Sequence, residues 1–173
     1  MSLNWKDREM EKWKRTERGG TRVVRGTKFI PCKVLLSEIH AEMPSSFSPD
    51  MLLQRLIGQK IRIGLAVDTT FDSKSYFHNP NIWKEWDIKM FKMSDKYGGT
   101  PPPLESLWNF VKETKVYLRS DPKAHILVYS RLGYNVVGYF IVGYMCEVLG
   151  MKLNDSLRLF KECREPGIYC KAT

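Results

Sequence analysis

Cysteine is scarce in this chain, with four in 173 residues (Cys32, Cys146, Cys163, Cys170), no close pair and no C-x-x-C spacing. That argues against a disulfide framework and a cysteine-rich metal site, and the thiols read as reduced in an intracellular protein, nuclear or cytoplasmic. Histidine is scarcer still: His40, His78 and His125 lie far apart in sequence, so no metal site is expected. The longest apolar run, Val136–Cys146, falls short of the roughly 17–25 residues of a membrane-spanning helix, and no membrane association is expected. Residues 1–20 are charged and hold no apolar stretch, unlike a secretory leader. Repeats and low-complexity tracts are absent, as are the G-x-x-x-x-G-K-[ST] phosphate loop and the G-x-G-x-x-G dinucleotide fingerprint. No K-x-D-G stretch supplies a guanylyltransferase lysine. No cofactor is expected.

What is present describes one globular domain, since 43% apolar residues over 173 positions supply a sizeable core. The formal charge is +9, and residues 1–33, with ten basic side chains against four acidic, carry +6 of it. Lys12, Lys14, Arg15, Arg18, Arg22 and Arg25 form the densest part. Such a cluster suits a polyanion such as a phosphate backbone, or equally a solvated arm that keeps the protein soluble. Trp5, Trp13, Trp83, Trp86 and Tyr97, each close in sequence to basic residues, serve as packing residues or as stacking platforms for bases.

Residues 1–20 read as a basic lead-in, helical through Trp5–Trp13 and closed by Gly19-Gly20, ahead of a single domain over 21–173. Phe29–Leu36 reads as a strand whose Pro31 suits an edge position. Ser48-Pro49-Asp50 caps a helix, Ile61–Val67 is a buried strand, Asp72–Asn81 is turn-rich, and Ile88–Met93 alternates like a strand. After Gly98–Pro103, Leu104, Leu107, Trp108, Val111 and Leu118 mark one apolar helix face. His125–Tyr129 is a strand that runs into the turn Ser130–Asn135. Val136–Leu149 is a helix apolar nearly all round, ended by Gly150, and Asn154 caps a last helix holding Leu157, Phe160 and Cys163. Strands alternating with helices imply an α/β fold, its mainly parallel sheet flanked by helices on both faces.

A buried strand, a short turn with glycine, then a buried helix forms a unit suited to anions. The first N–H groups of the helix have no helical partner, and the helix dipole favours negative charge there. In this unit the segment 125–143, HILVYSRLGYNVVGYFIVG, resembles the signature of the cysteine phosphatases, in outline V-H-C-T-H-G-F-N-R-T-G-F/Y-L-I. It is most similar to the branch containing the RNA 5′-triphosphatase domain of metazoan mRNA capping enzymes and related dual-specificity RNA phosphatases. Gly26–Ile30 with Lys33–Leu36, Phe47-Ser48-Pro49, Gly64–Thr70, Tyr76–Asn79 and Arg164–Tyr169 resemble that branch's other motifs in its order, over about residues 13–170. The resemblance implies a dual-specificity-phosphatase-like fold.

The departures decide the expected function. The family's nucleophilic cysteine is Ser130 here, its phosphate-clamping arginine is Val136, and the hydroxyl residue after that is Val137. The flanking histidines are Tyr129 and Leu132. A thiolate is a good nucleophile and leaving group, whereas a serine hydroxyl needs a base. Gly133, Asn135 and Gly138 stand where the family has them, so the loop Ser130, Arg131, Leu132, Gly133, Tyr134, Asn135, Val136 is expected to fold without catalysing. Arg131 reads as a replacement phosphate contact or a solvent-facing arginine. Asp68 reads as structural or active-site scaffolding, and Asp95 as a turn former or a general acid. The expected function is a pseudophosphatase that binds an RNA 5′ end, a phosphorylated protein or an mRNA-processing protein. An active polynucleotide 5′-phosphatase or dual-specificity protein phosphatase working by an atypical route, and a structural domain beside a guanylyltransferase, are the alternatives. The oligomeric state is open.

Overall fold

The computed structural model describes residues 11–35, 48–70, 81–93 and 101–169. Among them the chain forms β1 (Phe29–Lys33), α1 (Pro49–Gly58), β2 (Ile63–Asp68), α2 (Asn81–Glu85), β3 (Lys89–Lys92), α3 (Leu104–Ser120), β4 (His125–Ser130), α4 (Asn135–Glu147) and α5 (Leu153–Cys163). Residues 11–15 form a helical turn ahead of β1. The four strands pair in the order β1-β4-β2-β3, all parallel.

Parallel sheets need cover on both faces, and the strand sequences comply by being apolar at consecutive positions. In β4, Ile126 and Val128 face a layer made by Phe110 of α3, Val137, Phe140 and Ile141 of α4, and Phe160 of α5. Leu127 and Tyr129 face the opposite layer, which holds Trp13, Leu52, Leu53 and Leu56 of α1, and Trp83 of α2. The apolar circumference of α4 is thus consumed between sheet and helices. Phe140, Ile141 and Met145 are wholly buried, each gaining roughly 1.5–3 kcal/mol from leaving water. Ser48 caps α1, its Oγ accepting from Met51 N at 3.3 Å.

β1 is an edge strand, as its proline suggests. Residues 18–24 run antiparallel along its outer side: Lys33 N donates to Arg18 O, Gly20 N to Pro31 O, and Val24 N to Phe29 O. Pro31 lies on that outer side, where its missing N–H removes no bond to β4. The segment shields an edge that would otherwise template pairing with another chain.

Four expectations need correction. The lead-in is no free arm over its described part: Trp13 is 3% exposed, lies in the core and donates its indole N–H to Val34 O. Its neighbours are charged, which hides one core residue in a basic stretch. On α3, Leu104 and Trp108 are exposed, while Phe110 is buried beside Leu107 and Val111, because only one side of the helix meets the sheet. Asn154 lies inside α5, whose N-cap is Lys152. The strand read over Phe29–Leu36 ends at Lys33, although Val34 and Leu35 remain buried. The helical reading of residues 5–10, the turn read over 72–80 and the aromatic Tyr97 lie outside the described residues.

Candidate active site

All four strands point the same way, so their C-terminal ends share one edge of the sheet, the usual place for a site in such folds. The 130–136 loop sits there, between β4 and α4. Ser130 is 8% exposed, and its Oγ accepts a hydrogen bond from Gly133 N at 2.9 Å. Gly133 has φ +77°, and a Cβ on it would lie 2.4 Å from the backbone carbon of Cys32 and 2.7 Å from Lys33 N. The loop is therefore pressed onto the end of β1, and only glycine satisfies both the left-handed backbone and the close approach.

Arg164, just beyond α5, supports the loop from behind. It is 2% exposed and donates Nε to Gly133 O at 3.1 Å and Nη2 to Leu132 O at 2.8 Å and Glu17 O at 2.7 Å. Its guanidinium lies 4.2 Å over the Tyr134 ring. In a trans peptide the carbonyl and the following N–H point in opposite directions. Turning the carbonyls of Leu132 and Gly133 toward Arg164 therefore turns the N–H groups of Gly133 and Tyr134 away from it, the first toward Ser130 Oγ. Two loop amides therefore face away from Arg164, and one of them, Gly133 N–H, is bonded to Ser130 Oγ. Its far end is tied down by Tyr169, whose N donates to Asn135 Oδ1 at 2.9 Å and whose ring meets that of Tyr134 edge-on at 5.5 Å.

A second buried cation lies nearby. Lys33 is 1% exposed, its Nζ donates to Trp13 O at 2.7 Å and Thr16 O at 2.8 Å, and it sits 3.6 Å over the Trp13 ring. Burial, helped by the Arg164 and Arg18 charges, lowers its pKa to about 8. Burial likewise holds the Arg164 guanidinium below its ordinary value. At the end of β2, Asp68 Oδ1 accepts from Thr70 N at 2.8 Å and from the Thr70 hydroxyl, and Lys92 Nζ lies 3.2 Å away. The accessory aspartate is thus occupied in ordering its own strand exit. Asp95 lies outside the described residues.

Over 161 residues the chain is 29% identical to the mRNA-capping enzyme of Danio rerio, an alignment covering 91% of this chain and 26% of that enzyme. Over 159 residues it is 31% identical to the RNA/RNP complex-1-interacting phosphatase of Mus musculus, covering 89% of this chain and 48% of that protein. Among solved structures, Tk-PTP in the active form superposes with a TM-score of 0.63 at 12% identity, covering 84% of this chain and 85% of that one. The chain is a cysteine-phosphatase superfamily member. It resembles the triphosphatase domain of the capping enzymes, and it spans less than half the length of either curated relative. No protein-family model matches it.

In this cysteine-phosphatase relative the structure brings together the predicted loop residues but gives them different work. Among the described residues Ser130 Oγ bonds Gly133 N, and neither histidine nor carboxylate acts on it. Val136, at the clamp position, packs against the core. Arg131 is exposed. Arg164 bonds the loop's backbone, yet it holds the carbonyls of Leu132 and Gly133 rather than facing Ser130 Oγ. Burial pushes Cys32 up to about 12 and Cys163 up to about 11, which keeps both of these thiols protonated. Of the basic cluster, Lys12, Arg15, Arg22 and Arg25 are exposed, Lys14 and Arg18 half-buried; Lys14 pairs with Glu11 at 2.9 Å. Sequence reasoning missed Lys33 and Arg164 as site residues. Their sole sequence trace is membership of the Lys33–Leu36 and Arg164–Tyr169 motifs, since their partners lie 17–147 positions away.

Proposed function

We propose that this is a catalytically inactive, capping-triphosphatase-like domain that binds RNA 5′ ends. One observation carries the reading: the loop keeps an ordered turn, held by Gly133 and Arg164, while its nucleophile position holds a neutral Ser130 and its clamp position a core-packed Val136. A phosphoryl transfer through this loop would lack an ionised attacking group and an arginine at the clamp position. Loss of one transition-state donor typically costs about 100- to 1000-fold, and here several roles are lost together. The first N–H groups of α4, by contrast, still suit a terminal phosphate. The RNA part of the reading rests on the basic cluster and on the curated relatives, one an mRNA-capping enzyme and another named for RNA/RNP complex-1. Such a role places the protein in the nucleus or cytoplasm.

The test is phosphate release from triphosphate-ended RNA and from an aryl phosphate. No release above a blank is expected. Turnover that disappears in Ser130→Ala would overturn the inactive reading.

A further inference from the structure

The basic residues of the chain's first part do not surround the loop evenly; the backbone lays them out in a line. Residue 17 is fixed at the loop by the bond from Arg164 to Glu17 O. From there the segment 18–24 follows the outer side of β1 away from the loop, with Arg18 O beside Lys33 and Val24 N beside Phe29. At the strand rise of about 3.3 Å per residue, that path is roughly 13 Å long. It ends at a groove of about 350 Å³ between this segment and α5, lined by Arg22, Val23, Arg25, Leu159, Glu162 and Cys163.

This groove has an apolar floor and a charged rim. Val23, Leu159 and Cys163 supply surface for the face of a base, and Arg22 and Arg25, both exposed, supply two guanidinium groups. Glu162 holds Arg25 by an exposed ion pair of 3.2 Å, worth little and easily exchanged for a phosphate. A path of roughly 13 Å matches about four nucleotides at the 3.4 Å stacked spacing of one strand. We infer that the edge of β1 is a track for single-stranded RNA, which seats the nucleotides beyond the 5′ end in the Arg22–Arg25 groove against α5. The inference rests on the RNA-binding reading above and locates where the chain of the RNA runs.

The test is fluorescence anisotropy of the full chain with 12-nucleotide single-stranded RNA, bearing 5′-triphosphate or 5′-hydroxyl, titrated with salt. Arg22→Ala with Arg25→Ala removes two phosphate contacts. The expected result is a loss of affinity on the order of tenfold at 0.1 M salt, for both RNAs, with the salt slope shallower by about 1.4. Glu162→Gln frees Arg25 and should tighten binding about two- to threefold. Arg55→Ala, on the opposite helix layer, should change nothing. All four side chains are on the surface, and an unchanged melting temperature confirms that the variants fold. Wild type that binds RNA with the groove variant equal to it would overturn the track and leave the RNA-binding reading standing. Wild type that binds neither RNA would overturn both. A phosphopeptide that binds in an Arg22- and Arg25-dependent way while RNA does not would assign the groove to a protein partner and refute the track.

Discussion

Arg164→Met is the substitution that most directly probes how the loop is held. The methionine fills similar space but strands three carbonyl oxygens: Gly133 O, bonded in a buried setting, and Leu132 O and Glu17 O, which are partly buried. An orphaned buried acceptor costs about 1–3 kcal/mol, so we assign about 2 to the first and about 1 to each of the others. Relief of the desolvated charge works the other way, since replacing a buried cation by an apolar group recovers part of its solvation cost. The guanidinium has no carboxylate partner among its bonds, however, and the carbonyls it leaves cannot pair with one another. The net expectation is a loss of about 3–4 kcal/mol, a large share of a total stability near 5–15 kcal/mol. For a chain of this size that lowers the melting temperature by about 6–16 °C. Urea unfolding at constant m-value gives the free energy, and calorimetry the midpoint. Arg164→Lys keeps the charge but not the planar fork and should fall between the two. A loss below about 1 kcal/mol in Arg164→Met would refute the claim that Arg164 shapes the loop.

Two further outcomes follow from the same geometry. Ser130→Cys alone should not yield a working phosphatase, because Val136 leaves the phosphoryl oxygens uncompensated; Ser130→Cys with Val136→Arg should exceed either single change in aryl phosphate turnover, and high turnover by Ser130→Cys alone would mean another cation serves as the clamp. Lys33 should make stability depend on alkaline pH: its folded pKa of about 8 lies below the ordinary 10.5, so between these values the unfolded chain binds more protons and stability rises with pH. Below about pH 8 both states carry the charge and the slope vanishes. The rise, measured by urea unfolding from pH 7 to 10, should be absent in Lys33→Met, and an equal rise in that variant would assign it to other groups.

Much of the architecture was legible because its signals are local. Ser48-Pro49 starts a helix through its own cap, and HILVYS followed by a polar turn and an apolar helix is readable from the order of residue types alone. The five-residue α2 was not, since nothing in Asn81–Glu85 repeats often enough to show a period. On α3 the apolar positions exceed one stripe, and only the placement of the sheet decides that Phe110 is covered and Trp108 is not. The loop's place between β4 and α4 and the family resemblance were legible through motif order. Its support was not. Lys33 and Arg164 are basic side chains, which composition assigns to the surface, and what buries them is a set of carbonyls brought from distant parts of the chain.

The placement of Arg164 separates the loop's form from its chemistry. The positions that would perform phosphoryl transfer, 130 and 136, contribute one hydrogen bond and some packing; the positions that fix the backbone are Gly133, through its left-handed conformation and close approach to β1, and Arg164, which lies behind the loop. Mutation can therefore erase the reaction without a folding penalty, whereas mutation of the two supports is resisted by stability itself. A descendant of an active enzyme can lose its catalytic pair by drift and still inherit an ordered loop.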